Sequence, residues 1–309
     1  MPGAAHGSLP RLIPDRRPWA VLGVGLAVLL VAQFAGGATM ALVALAESGM
    51  PAGGFSFDDG MLGGAPLVAG LLVQAAVALA GYALLVNRAV RRRPSVELVR
   101  PGGLRQFGLG VLLGGGAVAL AVGVLALAGA YRVTDVALTS SALVGLAIGV
   151  GAAVAEEVFF RGIVLHLLAV RFGGWPAMIV VSVLFGLIHA TNPGAGWGGA
   201  LAIVLSAGLL LNAAYLVTGG LWLPIGIHFA WNAAQSAVFG ITVSGTIEQR
   251  GLLESELVGP VWLTGGAMGI EGSAVLIAIG LAAGLALALP ASRRGGLRRE
   301  RLTATSAEH

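Results

Sequence analysis

Cysteine and lysine are both absent from the 309 residues, and charged residues make up only 10% of them. The first absence excludes disulfides, a thiolate nucleophile and cysteine-ligated zinc. The second leaves all 18 basic residues as arginine, most of them in short segments between apolar runs. That is the pattern of charge that sets membrane topology, so the formal charge of +4 does not point to a nucleic-acid partner. An excess of Gly, Ala, Val and Arg without Lys matches a GC-rich bacterial genome, and a bacterial plasma membrane is the expected location.

What is plentiful is apolar surface. Hydrophobic residues make up 57% of the chain, in runs too long for a soluble core. The expected fold is an all-α, polytopic membrane bundle. Eight runs of about 20 residues lie near 19–46, 65–87, 107–130, 141–168, 174–191, 197–217, 221–240 and 266–290. The first contains "ALAESG", which resembles a small-residue signal-peptidase site. Its run is about twice the length of a signal h-region, so it is read as the first membrane helix. The segment "SGMPAGGFSFDDGMLGG" reads as an exposed loop.

An even number of spans puts both termini on one side. The segment "NRAVRRRPSVELVRPGGLR" holds six Arg and the tail "SRRGGLRRERL" five more, and the positive-inside rule places both in the cytoplasm. Cytoplasmic segments then collect 15 Arg and external ones only Arg132 and Arg250. Glu47, Asp58, Asp59, Asp135, Glu248, Glu254 and Glu256 fall outside. The expected layout is a cytoplasmic segment 1–18, three helices over 19–135, a core of four helices over 136–245, an external loop with the last helix over 246–290, and a basic tail over 291–309 that is polar and disordered. Spacings of GxxxG type at Gly145 and Gly149, and at Gly280 and Gly284, permit close helix contacts, although 50 Gly residues make such matches common.

Six polar residues stand at membrane depth: Glu156, Glu157, Arg161, His189, His228 and Asn232, with Asn212 and Gln235 as weaker members. Ionisable groups at that depth face a bundle interior or a water-filled cavity and mark function by default. Glu157 and Arg161, four apart with the acid first, form a self-contained pair along one helix face. Glu156 lies roughly 100° from Glu157 and about 140° from Arg161 around the helix, which leaves it free to act as a general base. Phe185 and His189 share a face, as do His228 and Asn232. One carboxylate, two imidazoles and an amide on three helices can activate a water and stabilise an oxyanion, or bind a metal. Straight helices put His189 roughly 21 Å beyond Trp175 and His228 only about 9 Å beyond Trp222. The Gly- and Pro-containing stretch "TGGLWLPIG" is therefore expected to be non-helical before His228.

The stretches "EEVFFR" (156–161), "FGLIH" (185–189) and "HFAWN" (228–232) resemble the EExxxR, FxxxH and HxxxN motifs of the type II CAAX prenyl endopeptidases, also called ABI or CPBP intramembrane proteases. Order and spacing agree over about residues 140–240. The resemblance implies peptide-bond hydrolysis within the membrane, on a membrane-associated and sometimes prenylated protein. It implies that Glu156 and His189 polarise the attacking water and that His228 and Asn232 hold the oxyanion, with Glu157, Arg161 and Phe185 in support. Family members have been described both as metalloproteases and as glutamate proteases. The absence of HExxH favours a Glu-activated water with no cofactor, and zinc held by Glu156, His189 and His228 stays as the alternative. The rival reading is a non-catalytic protein of the same fold in an immunity or binding role, or a proton-coupled transporter. A transporter is expected to show matching halves, whereas the polar centre lies in the second half alone.

Overall fold

The computed structural model describes residues 12–48, 64–99, 101–136, 140–246 and 250–293. The loop expected over 49–63 and the tail beyond 293 lie outside the described residues. Each apolar run becomes a helix: α1 (Pro18–Ser48), α2 (Gly64–Val90), α3 (Gly103–Leu127), α4 (Ser141–Phe172), α5 (Gly174–His189), α6 (Gly196–Thr218), α7 (Trp222–Ala233, continued by a π turn over Ala234–Val238) and α8 (Ala274–Arg293). Of these, α1, α2, α3, α4 and α6 are long and apolar enough to cross a membrane, while α5 and the Ala274–Pro290 part of α8 are shorter. Leu30, Phe34 and Leu42 on α1, Leu112 and Leu120 on α3, and Leu187 and Ile188 on α5 point outward. An apolar exterior around helices whose backbone bonds are closed internally suits lipid rather than water. The chain is an all-α, multi-pass membrane bundle.

Helix α7 runs through the centre, packed against α3 and α4, and almost all of it is buried. Small residues make this approach possible. A Cβ at Gly145 would fall 2.5 Å from the Ala237 nitrogen, and one at Gly149 would fall 2.9 Å from the Phe229 carbonyl oxygen. The second GxxxG pair serves the α6–α8 contact, where a Cβ at Gly280 would lie 2.8 Å from Ser206 Cβ. Helices α4 and α5 form a hairpin that turns at Gly173, whose φ of 90° favours glycine.

The arginine-rich loops gather on one face. There Arg91 pairs with Asp15 at 3.0 Å, Trp222 Nε1 donates to the Leu98 carbonyl at 2.6 Å, and Trp175 Nε1 donates to Ser292 Oγ at 2.9 Å. On the opposite face a small two-stranded antiparallel sheet that the apolar-run reading did not foresee pairs β1 (Tyr131–Val136) with β2 (Leu253–Leu257).

Two local expectations are corrected. The stretch before His228 is bent only at Gly219–Leu221, and the helix already begins at Trp222. Pro224 falls in its first turn, where a missing N–H costs nothing. The last helix starts at Ala274 rather than 266, because Gly265, Gly266 and Gly269 take left-handed φ values of 83°, 60° and 77° and break it into short 3₁₀ turns.

Candidate active site

The EEVFFR stretch ends the regular part of α4 and enters a π turn over Phe160–Leu165. Glu157 and Arg161 are both fully buried, with Arg161 NH1 donating to Glu157 Oε1 at 2.8 Å. The pair is not self-contained, because His228 Nδ1 lies 2.8 Å from the same Glu157 oxygen. Arg161 Nε also donates to Asn212 Oδ1 at 2.9 Å, and its guanidinium lies 4.3 Å from the centre of the Phe185 ring. Asn212 in turn donates to Ser182 Oγ and to the Met178 carbonyl. One buried ion pair thus ties α4 to α5, α6 and α7. Helical spacing could show only the partner on the same helix.

Glu156 points away from this pair. Its Oε2 is buried with no hydrogen bond and stands 4.0 Å from His189 Nε2 and 4.0 Å from His228 Nε2. The two histidines therefore stand at one level without any unwound segment, and α5 and α7 reach it after different lengths of helix. Ring roles follow from the other nitrogens. His189 Nδ1 faces the Phe185 carbonyl at 2.7 Å, and a carbonyl only accepts, so Nδ1 carries the proton and Nε2 presents a lone pair towards Glu156. Against an ionised Glu157, His228 Nδ1 likewise donates, which leaves Nε2 facing Glu156. Phe185 packs against both rings, at centroid distances of 4.7 Å and 6.0 Å. Phe185, His189, His228 and Asn232 line one narrow cavity whose floor is Ile203, Leu210, Leu211 and Ile227. Its volume of about 10 Å³ admits about one water.

Comparison with known families matches residues 138–234 to the type II CAAX prenyl endopeptidases, Rce1-like. The match covers about a third of the chain. It contains all three motifs, and the family is the one the motifs suggested. No curated protein and no solved structure matched the chain.

Among the described residues no group of three or more His, Asp or Glu side chains is disposed to hold a metal ion. The 4.0 Å spacings from Glu156 Oε2 to each imidazole exceed the ~3.3 Å between ligand atoms of a tetrahedral zinc shell. The set as it stands does not fit the metal.

Beyond the Rce1-like segment lies a site residue that the sequence reading passed over. Glu271, in the 3₁₀ turn Ile270–Gly272, is buried and reaches the same cavity. Its Oε1 accepts from Trp231 Nε1 at 2.8 Å, and its Oε2 accepts from Ser244 Oγ at 2.8 Å and from the Ser244 backbone N–H. Ser244 holds a left-handed φ of 51°, a conformation that persists only where its surroundings fix it. Asn192 Nδ2 donates to the Ser244 carbonyl, Gly194 N–H to the Gly245 carbonyl, and Gly245 N–H to the Met268 carbonyl. The loops after α5 and α7 and the turns before α8 are thus knitted into a roof beside His189 and Asn232. Removing the carboxylate orphans the Trp231 and Ser244 donors. Glu271→Ala is expected to lower stability by about 3 kcal/mol, read as a fall in the thermal midpoint of the purified protein, and an unchanged midpoint would refute the bracing role.

Proposed function

We propose that the chain is an intramembrane endopeptidase that hydrolyses a peptide bond of a membrane-associated protein or peptide. A prenylated, CAAX-like terminus is the substrate class that the family description suggests. The observation that carries the reading is the Glu156 oxygen, buried, free of hydrogen bonds and 4.0 Å from two imidazole nitrogens. A buried carboxylate oxygen kept free of protein donors is costly unless it serves a guest.

The arrangement supports a sequence of steps. Two acceptors 4.0 Å apart, Glu156 Oε2 and His189 Nε2, can each take a hydrogen of one water at about 2.8 Å, which aims its lone pair at a carbonyl carbon. As the new C–O bond forms, the water proton passes to Glu156. His228, oriented by Glu157, donates Nε2–H in its doubly protonated form to the oxyanion, with the Asn232 amide beside it. When the tetrahedral adduct collapses, the C–N bond breaks and Glu156 returns the proton to the leaving nitrogen. The arginine-rich face is the cytoplasmic one in this reading.

The test uses purified full-length protein in lipid discs with a panel of transmembrane and lipidated peptides. Cleavage in ¹⁸O-labelled water should place one ¹⁸O in the new carboxylate. His189→Ala should lower kcat by about 10²-fold or more. Wild-type protein that leaves the whole panel uncut would overturn the assignment.

A further inference from the structure

The segment between α2 and α3 borders a second, open cavity that no motif residue lines. Its volume is about 570 Å³, and its lining is Arg88, Arg92, Arg93, Pro94, Ser95 and Val99. Arg93 is neutralised by Glu97 at 3.1 Å and lies 3.8 Å from Asp15. Arg88 and Arg92 are exposed, and among the described residues neither forms an ion pair.

Topology-setting charge explains arginines on this face but not their geometry. Arg92 has a left-handed φ of 55° at the end of α2, where Arg91 N–H closes on the Val86 carbonyl and Arg93 N–H on the Asn87 carbonyl. Glycine is the usual residue at such a helix end. A cation stands there instead and faces the cavity that Arg88 lines from one turn earlier. Just before it on α2, Leu84 and Leu85 are 53% and 51% exposed, and Val99 at the cavity edge is 73% exposed. The two free cations thus stand where lipid-facing apolar surface ends. A free anion would meet only the arginines, whereas a phospholipid matches both features.

We propose that this cavity binds the phosphate headgroup of an anionic phospholipid, its acyl chains lying along the surface of Leu84 and Leu85. The site has a path to α4. Arg91 pairs with Asp15 and with Glu97, the partner of Arg93, and donates to the Gly162 carbonyl at 2.9 Å inside the π turn. From Arg93 at the cavity wall, two ion pairs, Arg93–Glu97 and Glu97–Arg91, and one hydrogen bond lead to the helix that carries Glu156.

The test is native mass spectrometry of the full-length protein in detergent, titrated separately with phosphatidylglycerol, phosphatidylcholine and inorganic phosphate. Wild type should prefer phosphatidylglycerol over phosphatidylcholine by roughly tenfold or more. R88Q/R92Q should lose that preference. R88Q/R92G should lose it equally, with a glycine that suits the left-handed turn and so protects the fold. R16Q/R17Q, which removes charge from the same face outside the cavity, should keep it. A preference that survives in both cavity variants, or that falls as far in R16Q/R17Q, would overturn the proposal in favour of diffuse surface charge. Displacement of phosphatidylglycerol by millimolar phosphate would overturn the lipid assignment in favour of a free-anion site.

Discussion

Glu156→Gln is expected to lower peptide cleavage by about 10³-fold while shifting stability by less than ~0.5 kcal/mol. The asymmetry follows from its surroundings. The side chain is 26% exposed, and its Oε2 has no hydrogen bond and stands 4.0 Å from each of two imidazole nitrogens, so the fold draws little on it. Glutamine keeps the shape but cannot take a proton from water. The measurement pairs a cleavage rate in lipid discs with a thermal midpoint of the same preparation. A variant that still cleaves at the wild-type rate removes the mechanism, and one that loses activity only because it unfolds removes the claim that Glu156 is free of structural duty.

Glu157→Ala should do the reverse and destabilise the protein by about 3–5 kcal/mol. Arg161 has no exposed surface, and His228 Nδ1 shares the same carboxylate oxygen. Removing it strands a buried guanidinium and an imidazole N–H together, where a broken buried pair costs far more than an intact one contributes. Activity should fall as well, because His228 loses its orientation, so the thermal midpoint is the deciding quantity. Adding Arg161→Met to Glu157→Leu removes both charges and should recover part of the loss. A midpoint within 1 °C of wild type for Glu157→Ala would show that the network is not what holds α4, α5, α6 and α7 together.

How much of this was legible in the sequence differs with the range of each interaction. Apolar runs marked all eight helices α1 to α8, because a membrane demands about 20 consecutive apolar residues and that demand is local. The charges within those runs marked Glu156, Glu157, Arg161, His189 and His228, because a charge in an apolar run is costly. The bond from Glu157 to His228 spans 71 residues and that from Arg161 to Asn212 spans 51, and helical spacing carries no trace of either. Glu271 was absorbed into an apolar run, since one acid does not spoil a long window and the glycines at 265, 266 and 269 were not read as the breaks they are. Asp15, Arg91 and Glu97 read as loop charges, yet Arg91 and Glu97 are buried and Asp15 is nearly enclosed. Position in a loop says nothing about burial once loops pack on one another.

The π turn over Phe160–Leu165 sets an angular phase. One residue more or less in a helix rotates everything beyond it by about 100° and shifts it by about 1.5 Å. The half of α4 that bears both acids is therefore clocked against the half that begins at His166, whose Nε2 lies 3.5 Å from Asp15 Oδ2, and the clock setting resides in a segment whose length no motif specifies. A chain shortened by one residue between Gly162 and Leu165 would keep EEVFFR, FGLIH and HFAWN letter for letter, and would turn Glu156 away from both imidazoles. Intact motifs and an assembled site are separate properties of such a chain, joined only by the phase of one helix.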